Sequence, residues 1–333
     1  MGDRDGEALA MKIAVVHPGN DWILSRIARS ICDTDRRRED GQGTFVDVSF
    51  EAVRSGCWPQ GNGDDAVVYW DVQSCWQPIF RDLQPKAWHI GAFTHLDRDA
   101  VEAFRPSWDT LDGIVHMCQR YLRVFERQGW YPAKRMTVIP PGQPCGDMFT
   151  VRPLRLGVSQ RGGFPGKGDP FLFEALVGLP EVIKEHVELR IKGSGWSQSL
   201  ERFRDELRPL AVRLSESEGY ASYYAAFYEN LDYLLVPSLW EGGPMAVPEA
   251  LACGVPVIAA DVGWIPEMLT MEWDSGSRVP VSGCRMFPPG NREALQMHIT
   301  SLVQERLDRR RRVENMTWKG YAQKLEAFVE TLK

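Results

Sequence analysis

Nowhere in the chain do two cysteines stand at C-x-x-C spacing. The seven present, Cys32, Cys57, Cys75, Cys118, Cys145, Cys253 and Cys284, are scattered and odd in number. Such spacing argues against a disulfide framework or a cysteine-based zinc site, and for a reducing, cytoplasmic setting. No eighteen apolar residues run together, so no membrane-spanning helix is expected. Positive charge is not in excess: 39 Lys and Arg against 45 Asp and Glu give a formal charge of −6, which disfavours a general nucleic-acid surface. The basic runs at 36–38 and 309–312 are interleaved or flanked with acidic residues and read as solvated faces. There is no internal repeat, no low-complexity segment and no signal-peptide pattern. The polar, acidic residues 1–10 read as a disordered extension or an upstream start.

What is present is the composition of a soluble globular protein, 44% hydrophobic and 25% charged, with length enough for two domains in its 333 residues. Residues 12–17 (KIAVVH) form an apolar run of strand type, closed by Pro18-Gly19-Asn20 and followed by WILSRIARSI at helical spacing. Further strands are expected at 44–50, 66–71, 89–95, 113–118 and 136–141, with helices at 98–104 and 119–128. An irregular stretch after Pro140-Pro141-Gly142 runs to Pro153 and reads as a linker. Strands then recur at 154–159, 187–192, 233–237 and 255–260, and helices at 170–177, 199–207, 221–228, 245–253 and 291–307. Strands apolar almost throughout imply parallel sheets covered on both faces. The fold class expected is α/β, with Rossmann-like domains at 11–150 and 151–316 and a ligand cleft between them at the carboxyl ends of their strands.

The chemistry concentrates at 233–267, YLLVPSLWEGGPMAVPEALACGVPVIAADVGWIPE: a buried strand, a two-glycine loop, a helix opened by Pro244, a stop at Gly254 and a second buried strand. Backbone N–H groups of Gly242, Gly243 and Met245, with the helix dipole, offer a phosphate or diphosphate site. Glu241 precedes the helix and Glu249 lies about one turn in. A carboxylate beside an anion site is repelled by phosphate unless it faces neutral hydroxyls, and a sugar nucleotide carries hydroxyls on both sides of its diphosphate. The plain alternative makes Glu241 a helix cap and Glu249 an exposed helical residue.

The run SLWEGGPMAVPEALACGVPVIA resembles the signature of the retaining glycosyltransferases of family four, the group 1 glycosyltransferases of GT-B fold. Glu241 and Glu249 have the family's Glu, seven residues, Glu spacing. Pro237-Ser238 match its preceding Pro-Ser, and the residues from Glu249 to Ile258 match its Glu-Ala-x-Ala-x-Gly-x-Pro-Val-Ile run. The resemblance implies that Glu241 contacts hydroxyls of the transferred sugar and Glu249 the nucleotide's ribose, with Ser238, Gly242, Gly243, Met245 and Ala246 in the donor site. One departure stands out: where the family reads Glu-Gly-Phe-Gly, this chain reads Glu241-Gly242-Gly243-Pro244, and proline supplies no N–H.

Residues 156–175 (LGVSQRGGFPGKGDPFLFEA) are a strand, a glycine-rich loop with Arg161 and Lys167, and a helix. Gly168 after the lysine departs from the P-loop pattern. The segment resembles the family's Gly-Arg…Lys-Gly, in which the two cations neutralise the departing diphosphate. LRIKGSGW at 189–196 falls where the family places its base-binding loop, which makes Gly193, Ser194 and Trp196 candidates; Trp196 reads equally as a hydrophobic plug. By the same resemblance Gly19 and Asn20 lie under the donor phosphates, His95 stands near the reacting sugar, and residues 317–333 form a helix crossing back toward the N-terminal domain. His89 and His116, inside strands, read as core residues. The D-x-D triplets at 33–35 and 97–99 lack supporting residues and are not read as metal sites.

The activity implied is retaining transfer from a nucleoside-diphosphate sugar, UDP- or GDP-linked, requiring no cofactor or metal, with 11–150 as acceptor domain and 151–316 as donor domain. Glu241, Arg161, Lys167 and His95 are the candidate catalytic residues. A soluble glycan, protein or small-molecule acceptor is favoured over a lipid-linked one or a nucleic-acid base, and the sequence leaves the acceptor's identity and the oligomeric state open. Competing readings are a GT-B-like epimerase or phosphorylase, for which no separate signal exists, and a catalytically silent binding or assembly subunit, which usually loses the glutamates or the basic pair retained here.

Overall fold

The computed structural model describes residues 11–19, 23–35, 45–55, 65–77, 79–94, 104–143, 149–164, 166–216, 224–272 and 278–333. The chain divides into two compact units. One runs through Phe149 and takes back Val313–Lys333; the other is Thr150–Arg312.

The first unit is built on six strands, β1 (Ile13–His17), β2 (Phe45–Ser49), β3 (Ala66–Trp70), β4 (Trp88–Phe93), β5 (Gly113–His116) and β6 (Met136–Val138), in the order β2-β1-β3-β4-β5-β6. Every pairing is parallel. All residues of β1 and β3 are buried, as parallel strands covered on both faces must be. One face is covered by Ala28, Ile31 and Cys32 of the helix Ile23–Asp35 and by Tyr321, Leu325, Phe328 and Val329 of the C-terminal helix Trp318–Leu332. Thr317 caps that last helix, its hydroxyl accepting the Gly320 N–H. The opposite face packs under Val53, Phe80, Trp108 and Phe125. Trp70, Trp76 and Trp108 are buried, so these tryptophans are structural.

The second unit repeats the plan with β7 (Leu154–Ser159), β8 (Val187–Lys192), β9 (Ala211–Ser215), β10 (Tyr233–Val236) and β11 (Val257–Ala260). A two-stranded antiparallel pair, β12 (Thr270–Glu272) and β13 (Arg278–Pro280), and a final β14 (Arg285–Phe287) follow. The main sheet, again parallel, has the order β14-β11-β10-β7-β8-β9. Counted within the unit, this is 3-2-1-4-5-6, the Rossmann order. The chain therefore consists of two Rossmann-like α/β units with central parallel sheets, the composition of a GT-B fold.

In such sheets a crevice opens where strand order reverses, because loops leaving the two adjacent strands diverge. In the second unit the reversal lies between β7 and β10, so the loops at 160–168 and 237–245 flank it. The sequence pattern gives no sign of β9. It is an edge strand whose side chains alternate between exposed and half-buried, and its Arg213 reaches Glu188 on the neighbouring strand at 2.7 Å. Helix ends also shift: the segment expected at 199–207 is Ser197–Arg202, and that expected at 291–307 is Arg292–Glu314. The helix expected at 98–104 falls almost entirely outside the described residues. Among the described residues no helix is long and apolar enough to cross a membrane.

Candidate active site

The loops after β7 and β10 are locked together. Gly168 has φ of 75°, and a β-carbon there would stand 2.0 Å from the Pro237 carbonyl oxygen, so only glycine lets the two loops touch. Gln160 bridges them: its side-chain amide donates to the Lys167 carbonyl at 2.6 Å, and its Oε1 accepts the hydroxyl of fully buried Ser238 at 3.3 Å. Lys167 Nζ is ion-paired with Glu241 Oε2. From behind, Trp264 N–H donates to the Gly242 carbonyl at 3.1 Å. The Lys167–Glu241 pair thus sits on a braced platform at the sheet's reversal point.

The helix carrying Glu249 is Ala246–Ala252, with Met245 as its N-cap. It opens two residues later than Pro244, because the Pro244 carbonyl closes the first turn by accepting the Val247 N–H at 3.1 Å. The expected phosphate donors need one correction. Gly242 N–H is turned toward the Glu241 carboxylate, at 3.3 Å from Oε1, whereas the N–H groups of Gly243 and Met245 have no partner among the described residues. Glu249 is oriented by buried Tyr228, whose hydroxyl donates to Oε2 at 2.5 Å. Lys192, at the end of β8, neighbours Glu249. Burial holds its ammonium below the ordinary lysine range, and the Glu249 charge opposes that shift.

Arg161, Lys167, Met245, Ala246 and Glu249 line one cavity of about 380 Å³, together with Gln160 and Phe164. Arg161 is exposed and makes no ion pair among the described residues. Lys167, Glu241 and Gly242 line a neighbouring cavity of about 290 Å³ with Trp240. Gly243 is exposed, and Ser238 lies buried behind Glu241. Gly193 and Ser194 brace the glycine-rich loop: a β-carbon on Gly193 would meet the Gln160 carbonyl at 2.1 Å, and the Ser194 carbonyl accepts the Gly162 N–H at 2.8 Å. Trp196 is fully buried, packs edge-on against Phe173 and donates its indole N–H to the Gln160 carbonyl at 2.8 Å. Of its two expected roles the observed one is the hydrophobic plug, since a ring with no exposed surface cannot stack on a base.

Gly19 belongs to the first unit, where its N–H donates to His17 Nδ1 at 3.0 Å, leaving Nε2–H to donate to Asp47 at 2.7 Å. Asn20 and His95 lie outside the described residues. Sequence reasoning missed Gln160, Lys192 and Tyr228. The first two had a legible signal, as polar residues at the carboxyl ends of β7 and β8.

Residues 162–305 match the family model of the glycosyl transferases group 1. The match begins in the glycine-rich loop and takes in Lys167, Glu241 and Glu249; it spans somewhat under half of the chain. Solved structures similar to the chain include the lipopolysaccharide outer core galactosyltransferase WaaB in apo form, at 15% identity and a TM-score of 0.40, covering 96% of this chain and 99% of that one. HepE of Anabaena in complex with UDP is 16% identical with a TM-score of 0.36, covering 97% of each chain. Sucrose-phosphate synthase of Thermosynechococcus elongatus is 15% identical with a TM-score of 0.38, covering 97% and 99%. No curated protein matches the chain.

Proposed function

We propose that the chain transfers a sugar from a nucleoside-diphosphate sugar, UDP- or GDP-linked, to an acceptor hydroxyl in the cytoplasm, with retention of anomeric configuration and without a catalytic metal. The observation that carries this reading is the convergence of Arg161, Lys167 and Glu249 on one cavity at the reversal point of a Rossmann-ordered sheet. Two cations are the chemistry a departing diphosphate requires as its charge grows. Glu249, held by Tyr228, accepts ribose hydroxyls; Glu241, in the adjoining cavity, accepts those of the transferred sugar. The bond from the anomeric carbon to the phosphate oxygen breaks as the bond to the acceptor oxygen forms on the same face, and the leaving phosphate takes the acceptor's proton. No protein nucleophile is needed, so Arg161, Lys167 and Glu241 act by charge and position. The group 1 match over residues 162–305 supports the general reaction.

A thermal-shift screen of UDP, GDP and ADP sugars, followed by hydrolysis assays with and without EDTA, tests the reading. At least one donor should raise the melting midpoint in the ligand-concentration-dependent manner of mass action and be turned over in EDTA. Absence of any shift defeats the reading. A shift without turnover toward water or any acceptor favours a silent binding subunit, and activity lost in EDTA and restored by Mg²⁺ or Mn²⁺ overturns metal independence.

A further inference from the structure

Two aromatic rings beside the Lys167–Glu241 pair stand in solvent: Phe164 is 56% exposed and Trp240 is 64% exposed. Trp240 is nonetheless held in place. Its indole lies against Gly166, where an added β-carbon would come within 2.3 Å of the ring, and the Gly166 carbonyl accepts the Leu239 N–H at 2.7 Å. Gly166 has φ of 142°, a conformation that side-chain-bearing residues rarely adopt, so the backbone at this point is shaped to seat the indole. Phe164, Gly166 and Trp240 wall both the 290 Å³ cavity of Lys167 and Glu241 and a second cavity of about 430 Å³.

That second cavity is mostly apolar but includes Asp169 and Ser199 in its lining. Asp169 is only 3% exposed. Its Oδ2 accepts the Ser199 hydroxyl at 2.5 Å and the Gly163 N–H at 3.3 Å, while Oδ1 has no partner among the described residues. Oδ1 keeps accessible surface, so a ligand or water in the cavity can donate to it. The carboxylate repels phosphate, so the ligand is not a second anion. An apolar cavity of this size with aromatic walls and a few polar groups is the usual form of a small-molecule site. Aromatic faces carry negative charge density and attract weakly positive C–H groups, and carboxylates accept hydroxyl protons. A pyranose ring presents both: C–H groups on its faces and hydroxyls at its rim.

We propose that this second cavity binds a neutral pyranose ring, with Trp240 and Phe164 against its C–H faces and Asp169 Oδ1 accepting a ring hydroxyl. Its assignment as an acceptor subsite rests on the sugar-transfer reading, because the cavity shares a wall with the one proposed for the transferred sugar. The acceptor is accordingly a saccharide.

Saturation-transfer NMR on the full chain with methyl α-D-glucopyranoside, methyl β-D-galactopyranoside and N-acetylglucosamine tests the site directly. At least one should receive saturation, and Trp240→Ala, Gly166→Ala and Asp169→Asn should each weaken its binding tenfold or more. Circular dichroism on the same samples identifies variants that keep the fold, and Trp240→Ala, at an exposed position, serves as the reference should Asp169→Asn unfold. Failure of all three probes to bind, wild-type affinity in folded Trp240→Ala, or displacement by inorganic phosphate or tetramethylammonium overturns the proposal. UDP and GDP titrations run alongside separate the two readings: saccharide binding without nucleotide binding upholds the ring site and strikes the donor site, whereas the reverse strikes the ring site alone.

Discussion

Separate replacement of Lys167 and Glu241 should shift nucleotide affinity in opposite directions. The two are ion-paired, with side chains 31% and 14% exposed. A pair this accessible is worth about 0.2–1 kcal/mol, since water and salt screen it and two long side chains must be held still. A hydrogen bond from the same ammonium to a phosphate oxygen is worth about 1.5–3 kcal/mol. Lys167→Met removes the phosphate contact, worth about 0.5–2.8 kcal/mol net of the ion pair given up, so UDP or GDP should bind about 2- to 100-fold more weakly. Glu241→Gln instead removes the competitor for Lys167, so the free nucleotide should bind about 1.4- to 5-fold more tightly. Transfer from the sugar nucleotide should nevertheless collapse in that variant, because the contact to the sugar is lost. Isothermal titration with UDP and GDP at fixed ionic strength reads the affinities, and unfolding curves should show both variants within about 1 kcal/mol of wild type. Weaker free-nucleotide binding in Glu241→Gln, or unchanged binding in folded Lys167→Met, would refute the assignment of Lys167 to the phosphates.

Tyr228→Phe keeps the ring in its buried place but deletes the hydrogen bond to Glu249 Oε2; nucleotide affinity should fall about five- to tenfold with the melting midpoint little changed, a loss of about 1 kcal/mol in orientation. Equal affinity in wild type and variant would make Tyr228 a packing residue only. His116 is fully buried against Phe93 and Phe125 with no hydrogen bond on either ring nitrogen, and burial pulls its pKa from 6.5 to about 4. The unfolded chain therefore binds more protons than the folded one between those values. Stability is complete above about pH 6.5, declines as pH falls through the window and levels off below about pH 4, a total of about 3 kcal/mol. Burial lowers the His89 pKa as well, adding a loss of the same sign. Urea unfolding across the window should show a shallower acid decline in His116→Leu, and parallel curves for the two proteins would exclude His116 as its source.

The strands of the two sheets were legible where they are buried on both faces. The strands at Leu154–Ser159 and Val187–Lys192 have the bounds read from the sequence; in the second, VELRIK, buried Val187, Leu189 and Ile191 alternate with charged residues, so its signal is the period of two rather than an unbroken apolar run. The edge strand Ala211–Ser215 was invisible: with one side in solvent and Arg213 paired to Glu188, it has no apolar run to detect. Arg161, Lys167, Glu241 and Glu249 were readable as chemistry-bearing residues, but their division between two adjoining cavities was not. Neither was Gln160, whose part is to tie Lys167 to Ser238 across loops that lie about eighty residues apart in sequence. Trp196 misleads on sequence alone, because an aromatic after a Gly-Ser-Gly turn suits either a stacking platform or a plug. Only its burial and the indole bond to Gln160 distinguish them.

Pro244 bears on how the proposed anion site works. Proline in the loop before Glu249 supplies no N–H, and Gly242 N–H is turned to its neighbouring carboxylate, so of the three donors expected from this loop one does not point at a ligand. The helix that follows is only seven residues long and contributes a correspondingly modest dipole. What remains are the N–H groups of Gly243 and Met245 on either side of the proline, together with Arg161 and Lys167 from the facing loop. Phosphate charge at this site must therefore be met chiefly by the two side-chain cations. The site should be more sensitive to ionic strength than one built on backbone N–H groups alone, since exposed Arg161 is open to screening by salt. The same distribution would let Glu241 stand beside the proposed diphosphate: its carboxylate pairs with Lys167, and once phosphate takes that lysine the carboxylate would face sugar hydroxyls, which donate to it without repulsion.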